Sequence, residues 1–288
     1  MIKENSIALS GFSDEICPDF LRQLSEVRAM GLKYIELRGV DEKNISELTA
    51  AELDYVKKSL EDHGIKVSSL GSPVGKMDIN EDFEPHFEMF KKMVDFAAML
   101  ETPYIRIFSF YTPKNEDPEL YYGKVREYLE RFISYAREKG IVLLHENEKG
   151  IYGDIAPRCE QLMKELYSPN FKAVFDFANF VECGQNTPEA YTMLKPYIAY
   201  VHIKDALMAE KTVVPPGDGD GHLAEILKSL KDSGYRGFLS LEPHLSNFSG
   251  LKMLEKDGAD RDGDIDGLAA WSLALKSLKS ILWDIDWR

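Results

Sequence analysis

Arg137-Glu-Lys-Gly140-Ile-Val-Leu-Leu-His145-Glu146 holds one structural unit in miniature. A charged helix end runs into Gly140, and an apolar run then finishes on His145 and Glu146. Glycine just past a helix supplies a left-handed cap, and Lys or Arg before it suits the negative end of the helix dipole. Ile141–Leu144 shows no polar alternation, as expected of a strand buried on both faces. The same grammar recurs in Ala29-Met-Gly31-Leu-Lys-Tyr-Ile-Glu36 and in Glu61-Asp-His-Gly64-Ile-Lys-Val67.

Working outward gives eight candidate strands: Ile7–Phe12, Lys33–Arg38, Ile65–Leu70, Tyr104–Phe108, Ile141–Glu146, Phe171–Phe177, Ile198–Lys204 and Gly237–Glu242. Their starts lie about 33 residues apart on average, the size of a βα unit. Amphipathic helical patterns fill the intervals, for example Phe87–Leu100, Tyr121–Lys139 and His222–Lys231. Thr49, Asp82 and Thr187 (before Pro188) are the expected N-caps. Alternation of this kind over 288 residues predicts an α/β chain: a closed (β/α)8 TIM barrel, one domain spanning 1–288. A doubly wound open sheet is the runner-up, weakened because no Gly-x-Gly-x-x-Gly follows the first strand. Two longer segments, Ala206–Gly221 and His244–Asp266, follow strands seven and eight and are candidate covers of the catalytic face.

Composition narrows the function classes. The net charge of −14 opposes a phosphate backbone, so no nucleic-acid partner is expected. No stretch approaches the roughly 20 apolar residues of a membrane span, so no membrane partner is expected either. The first ten residues carry only the apolar run Ile7–Leu9, too short for a secretion signal. Cys17, Cys159 and Cys183 form no Cys-x-x-Cys pair and point to a reducing, cytoplasmic setting. A homo-oligomer is left open.

The ends of strands five to eight are unusually polar: Leu143-Leu-His-Glu-Asn-Glu148, Val174-Phe-Asp-Phe-Ala-Asn179, Tyr200-Val-His-Ile-Lys-Asp205 and Leu239-Ser-Leu-Glu-Pro-His244. Side chains alternate faces along a strand. If Val142 and Leu144 point inward, so does Glu146, and Val174 shares its face with Asp176. His202 pairs in this sense with Lys204, and Ser240 with Glu242. Four strand ends thereby gather Glu146, Asp176, His202 and Glu242 where barrel active sites form. Three carboxylates packed together would repel and resist desolvation unless a positive charge sat between them. One divalent ion resolves that: Mn²⁺ first for three oxygens and an imidazole, with Mg²⁺, Co²⁺ or Zn²⁺ as alternatives.

With these residues placed, the chain resembles the xylose isomerase-like TIM-barrel superfamily of sugar and sugar-phosphate isomerases and epimerases. The resemblance rests on Leu144-His-Glu-Asn147, Phe175-Asp-Phe-Ala-Asn179, His202-Ile-Lys-Asp205, Pro215-Pro-Gly-Asp-Gly219 and Leu241-Glu-Pro243. It implies that Glu146, Asp176, His202 and Glu242 bind one divalent metal. It further implies that Glu146 and Glu242 trade a proton with a small sugar-like substrate. The chain departs from many relatives in carrying Asn179 where they carry a histidine. It also has no clear counterpart of the substrate-gripping Arg found beyond the metal-binding His in ketose 3-epimerases.

Arg38, Lys76, Arg106 and Lys204 are expected on the same rim, with Asn179 and His244, to hold an anionic or hydroxylated substrate. The competing expectation is that Glu36, Arg38 and Arg106 form buried pairs inside the barrel. Phe12, Phe108, Phe110, Phe177 and Tyr152 are candidate apolar walls, and Asp14 and Glu15 candidate rim or cap residues. Gly217-Asp-Gly-Asp-Gly221 could cradle an anion on backbone N–H groups. Asp262-Gly-Asp-Ile-Asp-Gly267 copies half of an EF-hand loop but puts Leu273 at the twelfth position, so it reads as an acidic turn. His63 and His86 are expected at the surface, and His145 facing the helices.

The resulting expectation is a metal-dependent isomerase or epimerase of a small sugar, sugar acid or sugar phosphate, working through a metal-stabilised enediolate. An inosose-type dehydratase is the nearest alternative. A DNA-repair endonuclease is disfavoured by a count of only six histidines and by the −14 charge.

Overall fold

The computed structural model describes residues 7–247 and 266–287. All eight expected strands form: β1 Ala8–Gly11, β2 Tyr34–Leu37, β3 Lys66–Leu70, β4 Tyr104–Ile107, β5 Val142–Glu146, β6 Phe171–Asp176, β7 Ile198–Ile203 and β8 Phe238–Leu241. They pair in parallel in the order β1-β8-β7-β6-β5-β4-β3-β2. A parallel bridge between Phe12 and Glu36, just past β1 and within β2, brings the two outer strands together. The result is a nearly closed eight-stranded barrel.

Helices α1 Phe20–Ala29, α2 Ala50–His63, α3 Phe83–Met99, α4 Tyr122–Glu138, α5 Ala156–Leu166, α6 Phe177–Glu182, α7 Thr187–Leu194, α8 Leu223–Asp232 and α9 Gly267–Asp284 surround it. Thr49 and Asp82 cap α2 and α3, Thr49 within a capping box closed by Glu52. Because Asp82 is the cap, α3 begins four residues before the apolar pattern at Phe87 suggests. The cap of α7 is Asn186, which accepts from Glu189 N, and not Thr187, which is the first helical residue. Gly64 and Gly140 end their helices at φ of 65° and 70°, the conformation that favours glycine. Among the described residues no helix is long and apolar enough to cross a membrane.

Strand alternation splits the apolar residues into two cores. Ile105, Ile107, Leu143, Phe175, Val201, Ile203, Leu239 and Leu241 face outward and pack under the helices. Leu144, Val174, Tyr200 and Phe238 face inward and plug the lumen with Tyr34 and Tyr104. Directly above this plug the same strands carry Glu146, Asp176, His202 and Ser240. Cross-strand register aligns them: Asp176 pairs with His202, and His202 with Ser240. The plug is therefore the floor of the polar mouth.

The long segment after β7 is a short hairpin, Asp205–Leu207 with Thr212–Val214, followed by the Gly-rich turn. The second long segment is described only to Asn247, so most of it, and most of the acidic turn Asp262–Gly267, lies outside the described residues.

Leu144 is fully buried under Glu146. Leu144→Ala is expected to lower the unfolding free energy by about 2–5 kcal/mol. Urea denaturation monitored by tryptophan fluorescence will measure it.

Candidate metal centre

Each strand end delivers its side chain by the alternation just described, and the mouth closes over them. Glu146, Asp176, His202 and Glu242 are all 0–2% exposed. One donor atom from each lies within 4.8 Å of the others. His202 Nδ1 stands 2.8 Å from Glu146 Oε1, 3.5 Å from Glu242 Oε2 and 3.9 Å from Asp176 Oδ2. Nδ1 is thus the imidazole nitrogen that faces the cluster.

Positive side chains sit among these carboxylates. Lys204 Nζ lies 3.2 Å from Glu242 Oε2 and 3.3 Å from Asp176 Oδ2. Arg106 Nη1 lies 3.2 Å from Glu146 Oε2 and 3.7 Å from Glu242 Oε1. Arg38 donates to Glu242 Oε1 at 2.9 Å, to Glu15 Oε1 at 3.0 Å and to Asp14 through two nitrogens at 2.8 and 3.1 Å. Arg38 and Arg106 are each 2% exposed. Sequence spacing puts Arg38 on the substrate rim; the fold buries its guanidinium among three carboxylates, where it braces Glu242. Arg106 similarly joins the two glutamates, and also donates to Ser72 O at 3.3 Å.

The other expected rim residues are distributed as follows. Lys76 pairs with Glu148 at 3.0 Å and lies over the Phe108 ring at 4.5 Å. Asn179 Nδ2 donates to Asn147 O at 2.8 Å and approaches Glu146 Oε1 at 3.4 Å, while its backbone N–H donates to Asp176 Oδ1 at 2.8 Å. His244 Nε2 stands 3.4 Å from Glu242 Oε1 and 3.6 Å from Glu15 Oε1. Glu15, Glu242 and His244 form a second acidic group. Arg38 already bridges its two glutamates, so that group carries its own cation.

Of the aromatic candidates, Phe12 and Phe108 reach the mouth. Phe12 meets His202 edge-on at 5.3 Å and lies under Arg38 at 4.2 Å. Phe110 packs instead with Tyr128 and Phe132, Phe177 with Phe175, and the Tyr152 hydroxyl lies within hydrogen-bond distance of Glu119 and Gln161. His145 faces the helices as expected, against Phe171. His86 is half-buried and not fully exposed: its Nε2 accepts from Gly75 N at 2.7 Å, and burial lowers its pKa to about 4. It thereby holds the loop that carries Lys76.

Asn147 and Asp205 had no role in the sequence reading, and Glu36 was expected there only as a member of a buried pair. Asn147 clasps the backbone of Asp176 through two hydrogen bonds of 2.9 and 3.0 Å. Glu36 lies 3.1 Å from His202 Nε2. Asp205 accepts from Gly217 N, Gly219 N, Gly221 N and Ala206 N at 2.9–3.0 Å. The Gly-rich turn does cradle an anion, and the anion is the chain's own Asp205. The signal was available in part, since Asn147 and Asp205 flank Glu146 and Lys204 in the quoted motifs.

Burial and neighbouring charge set the protonation of the cluster. Burial raises the Asp176 carboxyl and Lys204 opposes it; with Glu146 and Glu242 adding to the rise, it is pushed up to about 8. Burial alone would depress His202, but the carboxylates of Glu146 and Glu36 hold its imidazole well above the ordinary value. Burial would raise Glu242, yet Lys204 and its other cationic neighbours hold it well below the usual carboxylate range. Asp176 Oδ2 and Glu146 Oε2 are buried and, beyond these ion pairs, have no hydrogen bond. Oxygen-rich donors, one inward-facing imidazole nitrogen and two under-bonded carboxylate oxygens fit a divalent cation.

The sequence profile described as xylose isomerase-like TIM barrel matches residues 24–273. The chain belongs to this family. Within the xylose isomerase-like family, it is 23% identical over 237 residues to the 3-dehydroshikimate dehydratase of Bacillus anthracis, covering 74% of this chain and 81% of that protein. It is 22% identical over 158 residues to the fructoselysine 3-epimerase of Shigella flexneri, covering 54% of this chain and 57% of that one. The solved structure of the IOLI protein with a bound zinc atom superposes with a TM-score of 0.76 at 19% identity, covering 97% of this chain and 99% of that one. The last likeness is one of fold.

Metal ligands must be deprotonated, whereas Asp176 (raised to about 8) and His202 carry protons at neutral pH in the metal-free cluster. Binding of Mn²⁺ should therefore release roughly one to two protons, and Kd should tighten about tenfold per pH unit for each proton between about pH 6 and 8. Calorimetry in buffers of different ionisation enthalpy reads both quantities. A pH-independent affinity would contradict the assigned protonation.

Proposed function

We propose that this chain is a divalent-metal-dependent isomerase or epimerase of a small sugar, sugar acid or sugar phosphate. The observation that carries the reading is the convergence of Glu146 and Glu242, from β5 and β8, with Asp176 and His202 in one buried mouth. Glu146, Asp176, His202 and Glu242 would hold the ion, Mn²⁺ first among the candidates. When bound, it supplies the Lewis-acid charge that a carbonyl oxygen needs as a neighbouring C–H loses its proton.

The rest of the chemistry belongs to side chains. Glu146 and Glu242 approach from different strands, so one can remove a proton while the other returns one. Each has its own cationic support, Arg106 for Glu146 and Arg38 with Lys204 for Glu242, which holds both carboxylates in place. Lys204, Lys76, Asn179 and His244 stand where a hydroxyl or carboxylate of the substrate would be gripped, and Phe108 offers an apolar wall. The fructoselysine 3-epimerase relative supports this reading.

A second reading, a dehydratase, has its own support, because the dehydratase relative aligns over the larger share of the chain. Both reactions begin with proton removal beside a carbonyl and part only when a β-hydroxyl leaves. The acidic surface argues against a DNA substrate, and the three thiols, all unbridged, accord with the cytoplasm.

Incubation in D₂O with Mn²⁺ and a panel of ketoses, sugar acids, sugar phosphates and 3-dehydroshikimate, followed by NMR, separates the two. Deuterium entry with inversion or carbonyl migration identifies the isomerase; loss of water identifies the lyase. With metal occupancy confirmed, Glu146→Gln and Glu242→Gln should each lower turnover roughly 10²–10⁴-fold, since an amide cannot accept a proton at neutral pH. Near wild-type turnover in both variants would overturn the proposed roles.

A further inference from the structure

We infer that Glu36 is a positioning residue that makes His202 a ligand, by fixing the imidazole with Nδ1 toward the cation site and an N–H at Nε2. This rests on the metal reading above. Glu36 comes from β2, outside the four strands that supply the ligands, and reaches across the barrel lumen. A register irregularity between Ile35 and Glu36 shifts the β2–β3 ladder at this residue. Such irregularities re-aim side chains.

Glu36 Oε2 lies 3.1 Å from His202 Nε2 and accepts a hydrogen bond from Ser240 Oγ at 2.7 Å. Ser240 is the register partner of His202, so one ladder rung holds both ends of the arrangement. Glu36, Ser240 and His202 are each 0–1% exposed. Among the described residues no Lys or Arg lies within ion-pair distance of Glu36, unlike the other carboxylates of the mouth. Its Oε2 is therefore answered by the imidazole N–H and the Ser240 hydroxyl. A carboxylate left without them at this depth would be costly.

The ring itself is boxed in. Phe12 and Tyr200 meet it edge-on, at 5.3 Å and 79° and at 5.7 Å and 85°. A flip of the imidazole would take Nδ1 away from Glu146 and Nε2 away from Glu36 at once. An N–H committed to Glu36 leaves the lone pair on Nδ1, the nitrogen that faces Glu146, Asp176 and Glu242. Outer carboxylates of this kind orient metal-binding histidines and raise their basicity, and losing one typically costs 10–100-fold in metal affinity.

The test is Mn²⁺ titration by calorimetry of wild type, Glu36→Gln, Glu36→Ala and Ser240→Ala, with Glu36→Ala repeated in a His202→Ala background. Glu36→Ala should weaken Kd by about 10–100-fold. Glu36→Gln should lose less, because its amide oxygen still accepts from Nε2. In the His202→Ala background Glu36→Ala should change Kd by less than about twofold, since contacting residues couple and a purely structural role would add. Long-range ¹H–¹⁵N spectra of the zinc-loaded wild type should place the His202 proton on Nε2. Wild-type affinity in Glu36→Ala, an equal loss in the His202→Ala background, or a proton on Nδ1 would overturn the assignment. Should Glu36→Ala fail to fold, Ser240→Ala and the spectrum decide. If the wild type itself takes up no Mn²⁺, the metal reading falls too; binding with an unchanged Glu36→Ala removes this inference alone.

Discussion

Carboxylates removed from water must meet positive charge, and the mouth of this barrel gathers more of them than a fold can leave unanswered. Glu15, Glu36, Glu146, Asp176 and Glu242 are all nearly inaccessible. The surrounding architecture follows from that constraint. Arg38 and Arg106 are drawn down from the rim, Lys204 bridges two of the acids, and His202 is held between Glu146 and Glu36. Charge pairs at this depth contribute little net stability, so the barrel stands on its two apolar cores and not on the mouth.

The cations inside the mouth also compete for its carboxylate oxygens. Lys204 touches Asp176 and Glu242, two of the residues that would hold an ion, so a divalent cation and the ammonium share the same oxygens. The difference between Asp176, raised, and Glu242, held low, puts unlike carboxylates on adjacent parts of one site. Proton removal beside a carbonyl is a first step common to an epimerase and a dehydratase, the two activities named for the relatives.

Much of this was legible in the chain because it depends on local rules. Gly140 before Ile141–Leu144 announces a helix end and a buried strand. Period-two alternation from Leu144 to Glu146 and from Val174 to Asp176 puts the polar ends on the lumen side. What was not legible depends on partners distant in sequence. That Arg38 would turn to Asp14, Glu15 and Glu242, and not to solvent, needs β1, β2 and β8 side by side. His86 reads as surface in its helical pattern because nothing local reveals that Gly75 N would point at it. Glycines 217, 219 and 221 suggest an anion cradle correctly, but only the hairpin after β7 reveals that Asp205 fills it.

Whether Glu146, Asp176, His202 and Glu242 bind one divalent ion is read directly from the metal content of the protein. After equilibration with Mn²⁺ and removal of excess by gel filtration, elemental analysis of wild type should give about one ion per chain. The Asp176→Asn/His202→Ala double variant, shown by circular dichroism to be folded, should retain almost none. A double variant as fully loaded as wild type, or a wild type that retains no ion, would contradict the account.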